Sequence, residues 1–67
     1  MELDFKKVNV LMIKKNMRNK DLAKRLNVSE STVSKLINGS SKKPRKGTIF
    51  NLSKALEVDV EEIIKED

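Results

Sequence analysis

No cysteine and no histidine occur anywhere in the 67 residues. Without cysteine there is neither a disulfide framework nor a thiolate zinc site to reinforce a small core. Without histidine the chain lacks the commonest general base and the commonest transition-metal ligand. Aromatic residues are scarce as well: two phenylalanines, no tyrosine and no tryptophan. That removes the stacking platform on which single-stranded nucleic acid is usually read. The longest apolar run, Val10 to Ile13, is far too short for a membrane span or a signal-peptide core. Catalysis would have to rest on carboxylates or lysines, and a chain of this length rarely encloses a substrate cavity. These exclusions leave one small domain over residues 1–67. It is expected to be no enzyme, to need no metal or other cofactor, to take no small-molecule substrate and to work in the cytoplasm.

What the chain does have is charge, unevenly placed. Residues 1–13 are neutral, with Lys6 and Lys7 against Glu2 and Asp4. Residues 14–46 carry eleven Lys and Arg against Asp21 and Glu30, a net charge of +9. Residues 47–67 carry a net charge of −4, and the whole chain +5. A basic middle and an acidic tail provide one face for a polyanion and another for a different contact.

The apolar residues follow helical spacing. Phe5, Val8, Leu11 and Met12 share one face of a first helix over about 5–15, which Asn16 should end because Asn tolerates the left-handed conformation. Leu22, Ala23 and Leu26 form the stripe of a second helix over about 19–26, stopped by Asn27. Ser29 caps a third helix whose buried stripe is Val33, Leu36 and Ile37, with Glu30 favouring its positive end and Asn38-Gly39 closing it. "GSSKKPRKGT" (39–48) is a loop, and Ile49, Leu52, Ala55 and Leu56 mark a fourth helix with Thr48 as its cap. Asp59 with Glu62 makes a capping box, and Val58 with Ile63 a hydrophobic staple, for a fifth helix over about 60–66. No strand signal and no repeat occur, so the expectation is an all-α fold of five short helices.

Two helices joined by a three-residue turn, the second opening on Ser and Thr, form the arrangement of a helix-turn-helix, about 19–38. The ordered set "LA" at 22–23, "L.VS" from Leu26 to Ser29, "S.ST.S", "NG" at 38–39, the Pro44 loop and "LSKALEV.VEEI" resembles the phage repressor and Cro family, also called Xre-type. The resemblance implies a lambda-repressor-like DNA-binding domain. It also implies that Ala23 allows a close helix crossing, that Val28 plugs the space between the two helices, and that Val33 anchors the second from beneath. Many relatives hold a buried Arg on the first helix against a Glu just before "NG". Both positions are apolar in this chain, Met12 and Ile37, which avoids stranding one buried charge.

The same resemblance assigns the site. The third helix would lie in the major groove and present Glu30, Ser31, Thr32, Ser34 and Lys35 to base edges. Lys35 would donate to guanine, Glu30 would accept from cytosine or serve only the helix dipole, and the two short hydroxyls would bond either way. Phosphate contacts would come from Arg18 and Asn19 at the second helix and from Asn38, Ser40, Lys42, Lys43 and Arg45 around the loop. The partner would be double-stranded DNA, bound by a homodimer on a palindromic operator. The dimer surface is sought away from the basic face, at Phe50 and Ile64, with Ile63 and Leu3 as further candidates. The expected role is transcription regulation, by repression, at a bacterial or phage nucleoid. At this length the chain resembles a bare regulator or a domain excised from a larger one. The rival reading is an antitoxin or antirepressor of the same fold that binds a protein through the acidic 57–67 segment.

Overall fold

A computed structural model describes residues 2–39 and 44–65. Its elements are α1 (Phe5–Lys14), α2 (Asn19–Leu26), α3 (Glu30–Ile37), α4 (Lys46–Leu56) and a single 3-10 turn (Val60–Glu62). Each expected apolar stripe faces one common core. Val8, Leu22, Val33, Ile49, Leu52, Leu56 and Ile63 are all within 1% of complete burial. Met12 and Ile37, the apolar pair in place of a charged one, both lie in this core.

The stops between helices are backbone conformations as much as side chains. Asn16, Asn27 and Glu57 take positive φ of 54°, 58° and 59°. At Asn27 the left-handed turn lets Val28 N–H bond back to Ala23 O at 3.0 Å, closing the end of α2 and launching the chain toward α3. Ser29 then caps α3 as its sequence position implies, accepting from Thr32 N–H at 3.1 Å.

Four expectations need correction. The fifth helix is only the 3-10 turn, so the described residues form four α-helices. The backbone beyond that turn is used by the N-terminal segment instead: Asp4 N–H donates to Ile63 O at 2.8 Å and Lys65 N–H to Glu2 O at 2.9 Å. Leu3 and Ile64 pair as an isolated antiparallel bridge, a feature with no strand signal behind it. Helix α4 starts at Lys46 rather than after Thr48, because Ile49 N–H reaches back to Arg45 O at 3.0 Å; Thr48 lies within the first turn. Val28 is no plug. It is 42% exposed, whereas Leu22, Ala23 and Val33 on the flanking helices are buried.

The fourth correction concerns the dimer surface. Leu3 is a core residue at 2% exposure, which removes it as a candidate, and Ile63 at 0% keeps the core place that the staple with Val58 implies. Ile64 is half-buried, its backbone held by the bridge to Leu3 and by Lys7 Nζ, which donates to its carbonyl at 3.0 Å. Phe50 stays outside, 49% exposed.

Candidate nucleic-acid interface

Helix α3 is built to be thin on its outer side. Its three large apolar residues all point inward, and Glu30, Ser31, Thr32 and Lys35 are exposed while Ser34 is half-buried. Short polar residues are mediocre helix formers, so the buried stripe and the Ser29 cap must carry the helix. The cap has a consequence for the outer face. Thr32 Oγ1 lies 2.9 Å from Ser29 Oγ, so this hydroxyl is shared with the cap while Ser31, which makes no such bond, faces solvent.

At the start of α2, Arg18 holds the N-cap position without capping through its side chain. Asp21 Oδ2 instead accepts from Arg18 N–H at 2.9 Å, one half of a capping box. One of the two acids in the basic segment is thereby committed to a backbone donor, and the Arg18 side chain is left exposed beside half-buried Asn19. Across the turn, Asn38 and Arg45 are exposed at the end of α3 and the start of α4. Ser40, Lys42 and Lys43 lie outside the described residues.

Not every cation belongs to this face. Arg25 donates to Ala55 O at 2.8 Å and stands 3.6 Å from Glu57, tying α2 to the end of α4. Lys20 and Lys24, in contrast, line a surface groove with Val28, Ser29 and Glu30, which places them beside the first turn of α3. The sequence assignment omitted both, although their i, i+4 spacing on the polar side of α2 was the available signal.

The family model described as the Cro/C1-type HTH DNA-binding domain matches residues 7–66. The chain belongs to that family. No curated protein and no solved structure shows significant similarity to it. The Cro/C1-type match begins within α1 and runs past the 3-10 turn. The chain is a binding domain, not an enzyme. Among the described residues no helix is long and apolar enough to cross a membrane.

Proposed function

We propose that this chain regulates transcription by reading double-stranded DNA in the major groove with α3, as a two-fold dimer that represses by occluding polymerase. The observation that carries the reading is the outer face of α3: Glu30, Ser31, Thr32 and Lys35 are all exposed along one short helix whose large apolar side chains are all turned inward. Lys35 is the donor for guanine O6 and N7. Glu30 accepts from cytosine N4, and Ser31 and Ser34 adjust to either partner. Arg18, Asn19, Asn38 and Arg45 fix the register on phosphates, joined by Lys20 and Lys24 from the neighbouring groove. A single helix covers too few base pairs to define an operator, which is why a second copy is required. Of the residues expected at that contact, Phe50 is the exposed one, with half-buried Ile64 at most an edge residue.

The test is selection from random-sequence duplex DNA at near-physiological salt, with the bound fraction sequenced. The expected product is a palindrome whose half-sites lie about 34 Å apart. One half-site alone would retain the reader and remove the dimer. No enrichment would overturn sequence reading and favour a protein partner on the acidic segment. Binding to the selected site should weaken about 10³-fold between 50 and 200 mM salt if about six phosphate contacts form. A flat salt response would exclude that contact set.

A further inference from the structure

The two ends of α3 are secured in different ways. Its start is capped locally by Ser29. Its last carbonyls have no partners within their own helix and must find them elsewhere. Ile37 O accepts from Asn9 Nδ2 at 2.9 Å, and the same nitrogen donates to Phe5 O at 2.7 Å. Both neighbours are carbonyls, so only the amide nitrogen of Asn9 can occupy this place. Four residues earlier on α1, the Phe5 ring lies against Gly39, where an added Cβ would stand 3.5 Å from the ring. Gly39 has a φ of 81°, the left-handed exit from α3. Two side chains of α1 thus grip the stretch 37–39, through an amide and a ring that carry no charge.

The stripe of Val33, Leu36 and Ile37 already attaches α3 to the core. Apolar burial is non-directional, however, and tolerates small tilts and rotations that a hydrogen bond does not. We propose that Asn9 is a positioning residue for DNA reading: by holding the Ile37 carbonyl it sets where Lys35 and Asn38 stand in the groove. The functional half of this inference rests on the DNA-reading proposal above; the structural half does not.

The test uses Asn9→Asp, which keeps the shape, removes both donated hydrogens and sets a carboxylate against two carbonyls. A control, Ser53→Ala, removes the buried bond from Ser53 Oγ to Phe50 O (2.7 Å) on α4. Asn9→Asp should lower Tm by about 4–8 °C, and Ser53→Ala by less, because alanine is the better helix former and leaves no buried donor unsatisfied. In NMR spectra of the free protein, Asn9→Asp should move the amide resonances of 35–39 and leave those of 30–32 in place. On the selected operator, well below Tm, Asn9→Asp should lose about tenfold discrimination at the base pairs that Lys35→Ala also relaxes. Discrimination at pairs relaxed by Glu30→Ala should persist, and Ser53→Ala should leave the whole profile unchanged. An Asn9→Asp profile identical to that of Ser53→Ala would overturn the proposal, because the bond would then be only a stability contact. If the wild-type protein selects no sequence, the DNA reading fails and the spectra decide alone. Shifts confined to 35–39 would uphold the clamp, and unmoved or evenly spread shifts would remove it.

Discussion

Helices α3 and α4 are both held by an apolar stripe on one face, yet their outer faces are spent differently. Helix α4 buries Ile49, Leu52, Ala55 and Leu56 and even a polar residue, Ser53, whose hydroxyl is satisfied by Phe50 O. Outside, Lys54 Nζ sits 4.5 Å over the Phe50 ring, an i, i+4 pair within the helix itself. Helix α3 buries three residues, and its side-chain bonds to other segments sit at its ends, at Ser29 and Asn9. One helix uses its side chains to complete the domain. The other keeps short polar groups and one lysine turned to solvent, an arrangement that stability alone does not explain.

The largest effect that would break this comparison is expected in α4. Leu52→Ala removes a side chain that is fully buried at the centre of the core. Such truncations cost about 2–5 kcal/mol, and a core of this size supplies only about 3–5 kcal/mol in all. The variant should be largely unfolded at 25 °C by far-ultraviolet circular dichroism. Ser31→Ala on the outer face of α3 should melt within about 2 °C of the wild type, because exposed substitutions change stability by less than about 0.5 kcal/mol. A well-folded Leu52→Ala protein would show that α4 is not the structural partner described.

A smaller effect separates the two outer faces by function. Lys35→Ala should weaken binding to the selected operator by about tenfold to a hundredfold, as expected when a good base contact is lost. Its Tm should hardly move. Lys54→Gln removes the same charge from α4 while keeping a side-chain stem beside the Phe50 ring, and should leave operator affinity nearly unchanged, measured by fluorescence anisotropy at one fixed salt concentration. Equal losses in the two variants would mean that charge alone, not the face of α3, binds the DNA.

The sequence made the inner half of this comparison legible and only part of the outer half. Helical spacing located the buried stripes of α1 to α4, because burial at i, i+3 and i+4 leaves its period in the sequence whatever the partner. The two Asn stops were legible because few residues take left-handed backbone without cost. The last segment was not. "DVEEII" has the local grammar of a helix start, with Glu62 Oε2 accepting from Asp59 N–H at 2.9 Å, but its continuation is decided by distant partners. Asp4 and Glu2 claim the backbone of Ile63 and Lys65, and no local window contains both ends of that pairing. The Asn9 bridge to Ile37, 28 residues away, was hidden for the same reason. Val28 shows the opposite error, an apolar residue placed inside by the family resemblance and found 42% exposed.

The smallest expected effect concerns how each helix ends. Helix α3 leaves through Gly39, which takes positive φ without strain, whereas α4 leaves through Glu57 at a φ of 59°. A side chain in that conformation costs about 1 kcal/mol, more than the Asn at 16 or 27 should pay. Glu57 has one compensation, its ion pair with Arg25 at 3.6 Å, but the two side chains are 46% and 72% exposed. Exposed pairs contribute about 0–1 kcal/mol, and Arg25 would keep its bond to Ala55 O without Glu57. Glycine also raises the entropy of the unfolded chain, which offsets part of the gain. Glu57→Gly should therefore raise Tm by about 2–4 °C, with Asn27→Gly producing a smaller change. A lower Tm for Glu57→Gly would mean that the pair with Arg25 outweighs the backbone strain. The tie between α2 and α4 would then be electrostatic as well as apolar, and the stabilising contribution of Glu57 should fade as salt is added.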